Sequence, residues 1–429
     1  MKRLRVAVWS PQPPSDSGIA DYAAEQLGTL RERFELGVVD VEPKGARPEA
    51  DLDFYHVGNS PAHGFVYRAA LLRPGVVLLH DFGLHDLVLA LTVARGERRD
   101  YLREMRRAYG ERGSFLGRQI ARGLGGALWP ALLPLCERLL RRSLGVVGLT
   151  RQVAERVGRL LPGRPLLQLP HHLALPLEPW PTRREARRAL GLAQDAILLT
   201  APGLASAAKR IDLLARVVAR LRERHPALRL VVAGGVDPGF DLAGAVASGG
   251  PDAVLMTGRL GQDDFLRHLA AADLVAALRF PSRGEISGAL VRALGAGRPA
   301  LVTAGTPAAQ EFPGDVVVPV SCDRHEEAEL LALVDRLVAD RGLREAMGAR
   351  AAAFVAERHA LVPVTQRLAD FLDEVAAARP VLEGRVAPEE PGPLGDLMGE
   401  LDFAARELDL PAPPDGTRAL IAGLVAGPG

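Results

Sequence analysis

Apolar runs of four to seven residues recur along the chain, each bounded by Gly, Pro, Ser or charged residues. Between them, apolar side chains return every three or four positions. The continuous runs, at 4–9, 35–41, 53–57, 76–79, 144–149 and 165–169, then 196–200, 228–233, 253–257, 274–278 and 299–302, predict strands. Their lack of alternation is that of parallel strands covered on both faces. Helical periodicity starts near Ile19 and returns at 150–161, 211–224, 242–247, 264–271, 286–296 and 326–378. Strands alternating with helices in both halves predict two doubly wound α/β domains. Right-handed crossovers put the strand C-termini of each sheet on one edge, so two such edges face each other across a cleft. The first domain is read over 1–175 and the second over 176–379, after the Pro-rich stretch LALPLEPWP. Residues 380–429 read as a Pro/Gly-rich tail with two short amphipathic segments.

In open α/β sheets, ligands bind beyond the carboxyl ends of the strands, so polar residues there are the candidates for chemistry. The first strand runs into SPQPPSDSGIADY, where Gly18 lets backbone approach a ligand closely. This is not GxGxxG, and a plain structural turn explains it equally well. His56, Asn59, His63, His80, Asp81 and His85 gather after two further strands. Their spacing fits no tetrahedral zinc set, so no metal is expected. His80 and Asp81 instead predict a pair for proton or hydrogen-bond work, the carboxylate orienting the imidazole. In the second half, Lys209 closes the loop APGLASAAKR and is one of only three lysines, with Lys2 and Lys44. A helix start disfavours a cation, so a phosphate-binding role is preferred to a surface one. Glu285, followed by Ser287 and Gly288, brings a carboxylate and free backbone N–H groups to a helix start. That suits a ligand with hydroxyls and negative charge; a capped helix with a surface Glu is the alternative.

Composition adds constraints. Hydrophobic content of 48% and charged content of 24% describe a soluble globular protein. A net charge of +1 argues against a general nucleic-acid binder. Cys136 and Cys322 read as reduced thiols of a cytosolic protein. The basic start is too short for a signal peptide, and no segment reaches the ~20 apolar residues of a membrane span. A cytoplasmic location is expected. Segment 97–142 interleaves arginines with Leu, Met, Tyr and Phe. It is compatible with peripheral contact on the cytoplasmic face of a membrane, the alternative being a solvated helical excursion.

Taken in order, SPQPPSDSGIADY, YHVGNSPAH, VVLLHDFGLH, AAKRIDLL and RFPSRGEISGALVRALGAGRPALVT resemble the retaining GT-B glycosyltransferases of the family 4 type, glycosyl transferases group 1, over nearly all of residues 1–378. The resemblance implies two Rossmann-like domains and metal-independent transfer of a hexosyl group in glycan biosynthesis. It implies a nucleotide-sugar donor, UDP- or GDP-linked, and no cofactor; the acceptor is a glycan, a lipid-linked molecule or a protein. It further implies that the Gly18 loop lies near the donor phosphates, that His80 and Asp81 stand at the reacting centre, and that Lys209 binds the diphosphate with Arg210 and Arg259 nearby. Glu285 would contact the donor sugar beside the N–H groups of Ser287 and Gly288, with His56, Asn59 and His63 on the acceptor side. Two positions depart from the family pattern. Leu204 stands where an arginine usually accompanies the lysine, leaving Arg210, Arg259 or Arg283 to replace its charge. Arg292 and Ala293 stand where the second glutamate of the motif, the ribose ligand, is expected. A non-catalytic binding or scaffold protein of this shape and a nucleotide-sugar epimerase are the competing readings.

Overall fold

The computed structural model describes residues 3–386 except 16, 44–48, 125, 127, 175–179 and 251. The amphipathic segments expected in the tail lie outside the described residues.

Strands β1 (Arg5–Trp9), β2 (Glu35–Val39), β3 (Leu52–Val57), β4 (Val76–Leu79), β5 (Gly145–Gly148) and β6 (Leu166–Gln168) form one parallel sheet in the order β2-β1-β3-β4-β5-β6. Strands β7 (Ile197–Pro202), β8 (Leu228–Ala233), β9 (Val254–Met256), β10 (Leu274–Ala277), β11 (Ala300–Thr303) and β12 (Val317–Val320) form a second parallel sheet, ordered β12-β11-β10-β7-β8-β9. Every residue of β3, β4, β5 and β11 is buried, which is why their sequences carry no alternation. Winding reverses between β1 and β3 in the first sheet and between β7 and β10 in the second. A crevice opens outside the strand ends at each such switch point.

The helical reading of 326–378 resolves into three helices, Glu326–Ala339, Arg341–Arg358 and Leu361–Glu383. The Asp340 carboxylate caps the second by accepting from Leu343 N at 2.8 Å. The third crosses back to the first sheet. Phe371 and Val375 pack on Gly145, Arg33 pairs with Asp373 at 2.5 Å, and Arg367 donates to the Gln168 carbonyl at 3.0 Å.

Within the basic segment, Arg98–Ala121 is two helical arms that double back at Gly110, whose φ of 61° and ψ of −147° suit glycine. The arms touch so closely that a Cβ on Gly113 would lie 2.0 Å from the Met105 carbonyl. Tyr101 and Met105 are buried, whereas Phe115, Leu124, Leu128 and Leu132 are exposed. Among the described residues, no helix is long and apolar enough to cross a membrane.

Candidate functional site

The two switch-point crevices open onto one cleft of about 1600 Å³. Ser17, Gly18, Asp21, Asn59, His80 and Asp81 line it from the first domain. Lys209, Arg210, Arg259, Arg279, Glu285, Ser287, Gly288 and Arg292 line it from the second.

On the second-domain side, β7 ends at Pro202 and turns through Gly203 at φ +78°. Gly234 presses on this turn; a Cβ there would come within 2.7 Å of the Gly203 backbone. The turn lets Lys209 fold back so that its Nζ donates to the Pro202 carbonyl. Burial and the neighbouring Arg279 guanidinium hold the Lys209 ammonium well below its ordinary pKa. Thr303 Oγ1 accepts from Arg279 N at 2.9 Å, and Phe280 N donates to the Ala208 carbonyl at 2.8 Å. The first bond ties the β10 loop to β11 and the second ties it to the lysine loop. The Glu285 carboxylate accepts from Arg283 N at 2.6 Å and Ser282 Oγ at 3.1 Å, and pairs with Arg279 Nε at 3.0 Å. Ser287 caps the helix Gly288–Gly295, accepting from Leu290 N at 3.3 Å.

On the first-domain side, the helix Gly18–Arg33 starts at the cleft, capped by Ser17, whose hydroxyl accepts from Ile19 N. Asp81 accepts from Asn59 N at 2.8 Å. Burial and the charge of Glu285 push its carboxyl up to about 6. The loops meet directly: Arg283 pairs with Asp86 at 2.6 Å, and its carbonyl accepts from Phe82 N and Gly83 N.

Several expectations need correction. Asp81 does not orient the His80 ring; the partner of the His80 imidazole is His56, Nδ1 to Nε2 at 3.2 Å. His56 and His63 are 1% and 0% exposed and lie beneath the cleft wall, so neither meets an acceptor directly. Asn59 does line the cleft, but its amide is committed to Asp86 at 2.8 Å and to Leu87 N at 3.0 Å. Arg210 reaches the cleft with its charge already paired to Glu326. Arg283 faces Asp86, and Leu204 is exposed. The cation beside Lys209 is Arg279, which the sequence did not single out among so many arginines. Arg292 is turned onto Glu25 at 2.7 Å, and Glu25 also accepts from His172 Nε2 at 2.8 Å. Ala293 is fully buried. Among the described residues, no three His, Cys, Asp or Glu side chains converge on a possible metal position.

Residues 182–354 match the family described as glycosyl transferases group 1. A stretch of 182 residues is 34% identical to the D-inositol 3-phosphate glycosyltransferase of Actinosynnema mirum, covering 39% of this chain and 42% of that protein. The chain thus spans about two fifths of that relative's length. Among solved structures, the sucrose-phosphate synthase of Thermosynechococcus elongatus superposes with a TM-score of 0.62 at 14% identity, covering 88% of this chain and all of that one. Anabaena HepE in complex with UDP and glucose superposes with a TM-score of 0.59 at 16% identity, covering 87% of this chain and all of its own. At these identities the likeness establishes the fold, which is GT-B: two Rossmann-like domains facing across a cleft.

Proposed function

We propose, from the match of residues 182–354 to glycosyl transferases group 1, that the chain is a retaining glycosyltransferase that takes a hexosyl group from a UDP- or GDP-linked donor. The observation that carries this reading is the convergence of Lys209, Arg279 and Glu285 at the β7/β10 switch point, opposite His80 and Asp81. The diphosphate lies against Lys209 Nζ, and the helix start at Ser287 and Gly288 adds backbone N–H groups. Arg279, beside Lys209 and paired through its Nε with Glu285, stands in for the guanidinium that Leu204 lacks. These groups stabilise the negative charge that grows on the departing phosphate, a role they fill without a metal ion. Glu285 accepts hydrogen bonds from donor-sugar hydroxyls, and His80 holds the sugar from the opposite wall. Ribose lacks its usual carboxylate, since Arg292 and Ala293 stand where the second glutamate is expected. In a front-face reaction the bond from anomeric carbon to phosphate oxygen breaks while the acceptor oxygen attacks from the same side. The acceptor proton passes to the departing phosphate. Proton NMR of the product tests stereochemistry: with EDTA present, the new linkage keeps the donor's anomeric configuration. An inverted anomer, or activity lost to EDTA and restored by a divalent cation, overturns the corresponding part of this reading.

The acceptor enters along the first domain, past Asn59 and Asp81. With its carboxyl at about 6, Asp81 is protonated below that pH, and only above it does it offer the acceptor hydroxyl the stronger, charge-assisted hydrogen bond of a carboxylate. kcat/KM is therefore expected to rise as pH increases through about 6, and this limb is absent in Asp81→Asn. The same limb in the variant removes Asp81 from the role.

A peripheral membrane site accompanies this function in our reading. Exposed Phe115, Leu124, Leu128 and Leu132 lie within a segment, 97–142, that carries eleven arginines against five acidic residues. Leu128 also lines the cleft, so an acceptor held in an anionic bilayer would meet the site at its mouth. Sedimentation with phosphatidylglycerol vesicles is expected, weakening in high salt and in the Phe115→Ser/Leu132→Ser variant. Equal sedimentation with neutral vesicles, or none with either, contradicts it.

A further inference from the structure

Seven of the ten histidines are buried, and five of these, His56, His63, His80, His171 and His172, cluster behind the cleft. Tyr22 packs against the rings of four of them. Only His80 and His171 reach the cleft wall.

His56 and His80 come from neighbouring strands, β3 pairing β4 in parallel with His56 beside Leu78. His80 N donates to the Val57 carbonyl at 2.9 Å, which fixes the backbone at the strand end. The two rings lie nearly parallel, 26° apart, and His56 Nδ1 meets His80 Nε2 at 3.2 Å. A contact between two neutral imidazoles holds one proton, so one ring donates and the other accepts.

The far side of His56 decides which. Its Nε2 is buried with no hydrogen-bond partner among the described residues, and Phe54 packs edge-on against the ring with centroids 4.6 Å apart. Were the His56 proton on Nε2, an N–H would be buried without an acceptor. With the proton on Nδ1, only a lone pair goes unmatched. Orphaned N–H groups are the rarer arrangement in folded proteins. His56 Nδ1–H therefore donates to His80 Nε2, and neutral His80 must carry its own proton on Nδ1. Among the described residues no side chain or backbone group takes up that Nδ1, and His80 lines the cleft. The general environment keeps both rings uncharged, since burial holds His56 down to about 3 and His80 well below its ordinary value.

We propose that His56 is a positioning residue that locks His80 in the Nδ1–H tautomer, so that His80 offers the cleft a neutral hydrogen-bond donor. Its ligand atom is accordingly an oxygen lone pair, such as a sugar hydroxyl oxygen. His80 does not act as a proton-accepting base in this arrangement. The kinetic consequence rests on the glycosyltransferase reading; the tautomer assignment does not.

The test is a two-bond proton–nitrogen NMR correlation on the full chain labelled with ¹⁵N-histidine, with His80 assigned by comparison with His80→Gln. The expected pattern shows a protonated Nδ1 and a bare Nε2 on His80. The opposite pattern overturns the proposal whether or not a donor substrate has been found. In kinetics, His56→Leu removes the donating N–H, lets His80 exchange tautomers, and lowers kcat/KM by roughly 10-fold or more, the scale of one lost hydrogen bond. His56→Asn places an amide near the Nδ1 position and is expected to recover activity to within about 3-fold of the parent. Equal losses in both variants, with His80 in an unchanged tautomer, would mean that His56 only fills space. If His56→Leu does not fold, the parent spectrum and His56→Asn still decide the matter.

Discussion

Lys209→Met is expected to lower kcat by about 10³-fold while leaving the fold intact, the scale for removing one group that stabilises an anion in the transition state. Methionine keeps the unbranched stem of the lysine, and among the described residues the partner that its Nζ loses is the Pro202 carbonyl. Lys209→Arg should not rescue the activity. The Nζ lies 3.0 Å from where a Cβ on Gly203 would stand, and a planar guanidinium has no room to replace a compact ammonium there. Proton linkage gives a second readout. Burial and Arg279 hold Lys209 well below its usual pKa, whereas a bound diphosphate favours the charged form. Binding of a nucleoside diphosphate, at a pH above the depressed pKa, therefore takes up a proton. Calorimetric enthalpies should change with the ionisation enthalpy of the buffer in the parent protein and not in Lys209→Met. Turnover preserved in the variant, or buffer-independent enthalpies in the parent, would contradict the assignment.

The largest expected effect on stability lies elsewhere, in the buried charge cluster beneath the second sheet. Arg187 is 2% exposed and pairs with Asp273 at 2.5 Å. It also donates to the carbonyls of Ala271, Gln194 and Ala196 at 2.9–3.0 Å. Asp273 accepts from Leu198 N at 2.8 Å and pairs with Arg183 as well, fixing the start of β10 against β7. Removing one member of such a pair leaves the other charge buried without compensation, at a cost of about 3–5 kcal/mol. Asp273→Ala should accordingly lower the unfolding midpoint of the second domain by roughly 10 °C. A urea titration showing a loss below about 1 kcal/mol would mean that water already reaches this cluster.

Sheet strands were the most legible part of the chain, because burial on both faces turns them into uninterrupted apolar runs. β12 was not anticipated: its sequence VVPV contains Pro319, which argues against a strand unless it lies at an edge, and β12 is the edge. The unbroken reading of 326–378 failed because its breaks, at Asp340 and around His359, contain neither Gly nor Pro. An amphipathic pattern tells which face of Leu361–Glu383 is apolar, yet not that it packs on the first sheet. Lys209 and Glu285 line the cleft, a placement that rarity and position in the sequence made legible. Arg279 was hidden by the abundance of arginine. The His56–His80 and Glu25–Arg292 contacts join residues 24 and 267 positions apart, and only the strand order and domain packing bring them together.

Glu285 and the helix start behind it are given meaning by Lys209 and Arg279, so the central claim is that this cleft holds and cleaves a nucleotide sugar. The most direct measurement is the release of nucleoside diphosphate from a panel of UDP-, GDP- and ADP-sugars by the purified chain. At least one donor should be cleaved, faster with its acceptor present, and Lys209→Met should abolish the release. No binding or cleavage of any donor would make the chain a non-catalytic GT-B protein, and conversion of the donor sugar without diphosphate release would make it an epimerase.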